Sequence, residues 1–314
     1  MHRESIWTSV CSFVLGIAIL TLAPTAAWAH GVVGKRWFPS TVQVDDPFVS
    51  DEASFKVSHI KGEDTRETEL ELDITKRLSP NFAIGFGGSY QIKNSINPEE
   101  PNAYGFSNPV IDLSYQFIRD PAHEVASTIS LDIAPGGVGA KRVGAASETT
   151  LTPSLKIGKG FGDLPDWADW LKPFAVTSAV GFNLFTGQSE TEDLQNSLKW
   201  GVTVMYSIPY LQSFIKDVGL GWPFNRLFPI VEFNGETQLS GPQSGQTTAF
   251  ANPGLIWAGK YFELAVEAQI PLNDISGHHV GILGMIHLFL DDIAPNIFTW
   301  TPFHAVLGPQ SMPQ

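Results

Sequence analysis

Apolar and polar residues alternate along most of this chain with a period of two. Between positions 68 and 75, Leu70, Leu72 and Ile74 alternate with Glu69, Glu71 and Asp73. Beyond the turn-forming residues 78–81, Phe82, Ile84, Phe86, Tyr90 and Ile92 share one face, and Ala83, Gly85, Gly87, Ser89 and Gln91 share the other. A helix would set Phe82 and Ile84 about 200° apart, whereas a strand keeps them on one side. The same alternation recurs around 111–117, 125–133, 151–157, 174–182, 198–206, 231–236, 262–270 and 280–288. A less regular segment at 248–258 and a weaker one at 54–60 bring the expected strand number to twelve.

Alternation by itself also fits a soluble sandwich. Three features favour a transmembrane barrel. The runs 82–92, 173–184 and 198–208 reach the length that a tilted membrane strand needs, about 9–11 residues, beyond the 5–6 usual in soluble sheets. Aromatic residues gather near strand ends, as at Phe82, Tyr90, Phe117, Phe174, Trp200, Tyr206 and Phe262, in the manner of interfacial girdles. The polar face mixes Gly, Ala and Ser with acids, as a crowded lumen would. The expected fold is therefore all-β: an antiparallel transmembrane β-barrel of about twelve strands, spanning 54–291.

The connections agree. From a periplasmic start, the short turns 78–81 and 258–260 fall on the periplasmic side, and the polar loops 93–105, 135–147, 186–196 and 240–246 fall outside, the asymmetry such barrels show. Two longer inner connections, 159–172 and 209–228, carry helical spacing: Trp167, Trp170 and Leu171 in one, and Leu211, Phe214, Ile215 and Val218 in the other. They predict two short periplasmic-side helices, lying on the inner leaflet or folded under the barrel mouth.

The chain ends add the address. Arg3 precedes an apolar run over 10–23, and Ala27-Trp28-Ala29 follows as a cleavage site, so residues 1–29 read as a secretory signal peptide. The chain's one cysteine, Cys11, leaves with it. Residues 30–53 form a periplasmic N-terminal segment that could enter the lumen as a plug, and 292–314 a Pro-rich periplasmic tail. No stretch of 18 apolar residues follows, so a membrane would be crossed by strands. With 19 Lys and Arg against 32 Asp and Glu, the net charge of −13 argues against nucleic acid as a partner. Outer-membrane lipid and a small solute are the expected partners.

Several stretches resemble uncharacterised proteobacterial outer-membrane β-barrel proteins, loosely grouped with transporter-like barrels from aromatic-degradation gene sets. They are His30-Gly31-Val32-Val33-Gly34-Lys35-Arg36-Trp37-Phe38-Pro39, Asp45-Asp46-Pro47-Phe48-Val49, Gly158-Lys159-Gly160-Phe161-Gly162-Asp163-Leu164-Pro165, Asn252-Pro253-Gly254-Leu255-Ile256-Trp257 and Leu290-Asp291-Asp292-Ile293-Ala294-Pro295. The resemblance implies the barrel and its location, and no substrate or catalytic residue.

Candidate chemistry lies on the polar face. Glu69, Glu71, Asp73, Asp112, Asp132, Glu232, Glu236, Glu263 and Glu267 are expected to line the lumen. Such a lining favours cations and disfavours anions; equally, it could be a salt-bridged interior with Lys156, Lys199 and Arg77 as partners. The expected function is a channel or transporter for small solutes with an acidic, cation-favouring lumen. A plugged structural or anchoring barrel and an outer-membrane lipid-modifying enzyme are the alternatives. The enzyme reading lacks support: no Gly-x-Ser-x-Gly occurs, no His shares the outward face near Ser127 or Ser178, and the glycine-rich stretches at 136–141 and 158–162 lack the Gly-Lys-Ser/Thr of a phosphate loop. No cofactor motif is present. A mature amino-terminal His30 offers an amine and an imidazole together, a weak candidate copper ligand. His287 reads as a lumen hydrogen-bonder.

Overall fold

The computed structural model describes residues 31–97, 99, 101–186 and 195–303. The signal peptide, His30, most of the 186–196 loop and the last eleven residues of the tail lie outside them.

Twelve strands form the wall: β1 (Glu52–Lys61), β2 (Thr65–Ser79), β3 (Phe82–Ser95), β4 (Val110–Asp120), β5 (Val125–Ala134), β6 (Thr150–Gly160), β7 (Phe174–Phe185), β8 (Ser197–Tyr206), β9 (Leu227–Gln238), β10 (Thr247–Ala258), β11 (Phe262–Pro271) and β12 (Gly281–Phe289). Each pairs antiparallel with its sequence neighbours, and β12 closes on β1 from Ile282↔His59 to Phe289↔Glu52. Closure leaves no unpaired edge, which a bilayer requires because hydrocarbon cannot satisfy a free backbone amide. A short strand, Ala103–Phe106, extends β3 within its loop. The wall begins at Glu52 and passes at Leu290 into a single helical turn, Leu290–Ile293.

The expected faces are observed. Ala83 and Ser89 are buried inward, while Phe86, Leu72, Ile74, Ile129, Phe182, Val266 and Ile286 are exposed on the outside. With an even strand number, residues 31–51 and 290–303 meet at one end, termed the inner end after the expected topology. The connections 161–173 and 207–226 lie at that end too, and the long loops at the other.

Two findings refine the expectation. First, both connections hold the short helices that the spacing at 159–172 and 209–228 predicts: a kinked 3₁₀ helix at Asp166–Leu171, and a single α turn, Ile208–Tyr210, running into a π turn, Leu211–Ile215. The helical stripes are not the buried residues; Ala168 and Tyr210 are. Second, the lumen is not polar throughout. Toward the inner end Met205, Phe228, Ile230, Ile256, Leu283 and Met285 point inward and pack with Val33, Phe38 and Val42 of the N-terminal segment. Side chains that alternate in a strand can be apolar on both faces when both have something apolar to cover. Here the lipid covers one face and residues 31–51 the other.

Candidate functional site

Residues 31–51 fill the inner half of the lumen. The segment opens with a small hairpin, Val32–Val33 against Arg36–Trp37, turning through Gly34 at φ 61°. Arg36 is fully buried and holds four partners. Its Nε lies 3.1 Å from Glu124 Oε2, it donates to the carbonyls of Pro173 (2.9 Å) and Lys172, and its guanidinium stacks 3.9 Å from the Tyr210 ring. Glu124 occupies the left-handed region at φ 51°, a conformation costing of order 1–3 kcal/mol for a non-glycine residue. The grip of Arg36 and of the Gly162 amide (3.0 Å) on its carboxylate offsets that cost.

From there the segment climbs to a tip at Gln43–Asp46 and returns. Wall carboxylates accept from its backbone: Glu263 from the Ser40 amide (2.9 Å), and Glu232 from the amides of Gln43 (2.8 Å) and Val44 (3.2 Å). Val44 lies over Gly201, where a β-carbon would collide with it at 2.7 Å, and Pro47 and Phe38 lie over Gly158, where a β-carbon would press on them at 3.0 and 3.3 Å. The Pro47 carbonyl accepts from Gln116 (2.8 Å) and Thr128 (2.7 Å). On the return, Asp51 binds Lys76 (2.6 Å) and Arg77 (3.4 Å).

Above the tip the lumen opens into two cavities, of about 290 and 400 Å³, which share Asp45, Asp132 and Lys156. The Asp45–Lys156 ion pair, 2.9 Å, stands between them. The smaller is strongly acidic: Asp45, Asp46, Glu52, Glu71, Asp73, Asp112 and Asp132 face two lysines, Lys56 and Lys156. The larger carries Lys199 and Glu236 with Thr152, Ser154, Asn234, Thr248 and Gln269, and Phe250 as an aromatic wall.

The nine candidate carboxylates thus divide by height. Glu71 and Asp73 reach the acidic cavity and pair with Lys56 at 2.9 and 3.4 Å, a partner absent from the sequence reading. Asp112 and Asp132 line it too, Asp112 accepting from Ser114 (2.8 Å). Glu236 lines the larger cavity, and Glu69, near the outer rim, accepts from Gln91 (3.3 Å). Glu232, Glu263 and Glu267 face inward but are buried under the plug, and so are not open lining. The expected ion-pair partners also change: Lys156 takes Asp45 of the plug, and Arg77 takes Asp51 and Asp291. His287 bonds Ser54 (2.7 Å) and Ser40 (3.2 Å), joining wall to plug. Arg36 and Asp45 escaped the sequence reading as site residues; the available signal was an arginine beside Trp37 and Phe38 and the Asp45-Asp46 pair between Val44 and Pro47, in a segment without strand periodicity.

The tip is charge-tuned in opposite directions. The Lys156 ammonium holds Asp45 down at about 2. Burial and the Glu52 carboxylate raise Asp46 to about 6, against the Phe48 amide, His287 and Lys156, which lower it. A raised carboxyl binds its proton more tightly in the docked plug than free, so its contribution is full below the ordinary range near 3.9 and is lost as pH rises through about 6. The contribution of Asp45 is present above that range and lost as pH falls toward 2. Plug docking is therefore expected to weaken between about pH 4 and about pH 6 and to level off above that, read as faster proteolysis of residues 31–51. Asp46→Asn should flatten that slope; an unchanged slope would place the titration elsewhere.

No family model matches the chain, and no curated protein matches it. Among solved structures it is similar to an outer membrane channel from Pseudomonas putida F1, at 8% identity and a TM-score of 0.54 over 80% of this chain and 99% of that one. The NanC porin (10% identity, TM-score 0.48, 76% of this chain and 98% of that one) and the KdgM porin (11%, 0.41, 75% and 98%) are more distant in shape. At such identities the likeness speaks for the fold alone: the chain is a closed, antiparallel, twelve-stranded barrel of the outer-membrane type.

Proposed function

We propose that this protein is an outer-membrane barrel that admits small solutes, cations above anions, into an acidic outer vestibule and passes them inward when the N-terminal plug shifts. The observation that carries the reading is the vestibule itself, where seven carboxylates face two lysines above the plug tip. A neutral-walled anchoring barrel would have no use for such an excess. The contacts of the described histidines go to Thr68, Asp120, Glu63, Glu52 and the Ser40–Ser54 pair, not to the outward Ser127 or Ser178. That supports transport over a lipid hydrolase.

The test is reversal potential in planar bilayers. Asp112→Asn with Asp132→Asn replaces the carboxyl pair on one rung of the β4–β5 ladder and leaves Lys56 and Lys156 their partners Glu71 and Asp45. At an effective dielectric of 20 and a distance of 10 Å, screened over a Debye length near 8 Å, one charge is worth about 0.5 kcal/mol toward a cation and as much against an anion, or roughly fivefold in cation-over-anion preference. The double variant should lose about fivefold in cation-over-anion permeability at 0.15 M salt and less at 1 M. Unchanged selectivity would detach these residues from the solute path.

A second reading has its own observation. The β6–β7 ladder runs to Gly181↔Ser154 and resumes at Leu184↔Leu151, interrupted at Pro153, which has no amide to donate. Outside this break lies an apolar hollow of about 590 Å³ lined by Leu113, Tyr115, Ile129, Leu155 and Phe182, and it shares Ser154 and Val180 with the larger luminal cavity. An apolar solute could leave through this wall into the bilayer, in keeping with the resemblance to barrels of aromatic-degradation gene sets. A β-carbon at Gly181 would stand 3.3 Å from that of Ser154, close to disulfide spacing. Oxidised Ser154→Cys/Gly181→Cys should then block uptake of an apolar solute and spare ion conductance; loss of neither would exclude this route.

A further inference from the structure

The lysines on inward strand positions are not all neutralised. Lys56 pairs with Glu71 and Asp73, Lys93 with Glu67, and Lys156 with Asp45. Lys199 lines the larger cavity, is exposed, and makes no ion pair or side-chain hydrogen bond among the described residues. Directly across the β8–β9 ladder stands Glu236, the carboxylate that a cross-strand lysine ordinarily takes. Glu236 is held elsewhere. Its Oε1 accepts from the Ser197 hydroxyl and from the Asn183 amide at 3.4 Å. Asn183 is fixed in turn, donating to Ser197 (3.1 Å) and accepting from the Thr152 hydroxyl (2.8 Å). The wall thus satisfies the carboxylate by hydrogen bonds and leaves the ammonium to the cavity.

The opposite charge lies three strands away. Asp132 of β5 lines the same cavity, with Asp112 of β4 on its rung. Among the described residues neither makes an ion pair with a lysine or arginine. From Lys199 the ladder leads through Gly181 of β7 and Ser154 of β6 to Ser130 of β5, two residues from Asp132. Small side chains between the two charges keep the space open. At about 4.8 Å per strand, the two backbones stand about 14 Å apart along the wall, and both side chains reach into the gap. At the tip of the plug Asp45 and Lys156 pair at 2.9 Å and offset each other.

A simple anion would suit Lys199, but the acidic vestibule repels it. A simple cation would suit the aspartates and leave the lysine facing a like charge. A molecule carrying both charges answers both sides. Resting on the reading of this barrel as a solute channel, we propose that its solute is a small zwitterion, held across the larger cavity with its amino group toward Asp112 and Asp132 and its carboxylate on Lys199. The cavity, about 400 Å³, has room for one such molecule.

Titration calorimetry on the full chain in detergent tests this with probes of one size: 4-aminobutyrate, butylammonium and butyrate. The zwitterion should bind tightest and butyrate weakest. Lys199→Gln should weaken 4-aminobutyrate by about fivefold, the upper end for a solvent-exposed ion pair, and tighten butylammonium, which loses a like charge nearby. Asn183→Ala with Ser197→Ala frees Glu236 to take Lys199, and should weaken 4-aminobutyrate with the lysine still in place. Equal binding of 4-aminobutyrate and butylammonium by the parent, or a Lys199→Gln variant that binds 4-aminobutyrate as the parent does, would overturn the proposal. Flux across planar bilayers separates this from the reading on which it rests. A zwitterion bound but not passed supports the site and counts against transport; cation-selective current with no preference for the zwitterion in binding supports the channel and overturns this solute class.

Discussion

Arg36→Ala is expected to release the plug and raise single-channel conductance. The guanidinium is fully buried and meets Glu124, two backbone carbonyls and the Tyr210 ring. Truncation leaves the Glu124 carboxylate buried with the Gly162 amide at 3.0 Å but without its counter-charge. Removing one partner of a buried ion pair costs about 3–5 kcal/mol. Here that cost falls on the docked plug alone, because an undocked Arg36 is hydrated. At 1.4 kcal/mol per factor of ten, the undocked population should grow by roughly two to three and a half powers of ten. Two measurements check it: limited proteolysis after Lys35, and conductance in planar bilayers. The wall makes its own closed ladder, so heat-modifiable migration on gels should stay as in the parent. Unchanged proteolysis and conductance would mean that the apolar contacts of Phe38 and Val42 hold the plug without the arginine.

Val266→Arg is expected to cripple assembly where Gln91→Arg does not. Val266 lies outward on β11, is 57% exposed, and pairs with Leu255 and Gly284 across the ladder. An arginine on the lipid face near the midplane costs about 2–4 kcal/mol, a drop of roughly one and a half to three powers of ten in the folding equilibrium. Gln91 faces the lumen beside Glu69, with its amide 3.3 Å from that carboxylate, so a cation there meets an anion and water. The folded fraction after refolding into vesicles should fall steeply for the first and stay level for the second. Equal tolerance would mean that the exterior faces water.

What the sequence by itself determined is the local geometry. The Ile84–Gly85 and Leu72–Asp73 alternations specify strand and face within a few residues, because successive side chains in an extended backbone point to opposite sides whatever lies far away. Strand length and parity then specify a barrel with both ends of the wall on one side. The tertiary structure decided the rest. Residues 38–50 carry no period, and their partners Glu232, Glu263 and His287 lie 189 to 247 positions along the chain. Closure of β12 on β1 brings those partners to one height, where they meet the plug amides. The same closure turns Glu232 and Glu263 from lining into anchors and buries Glu267 beside them, while leaving Asp112 and Asp132 open above the tip. It also explains the inward Met205, Phe228 and Ile230, which a two-residue period reads as misplaced. Alternation says which way a side chain points; what it finds there depends on a segment folded in from the other end of the chain.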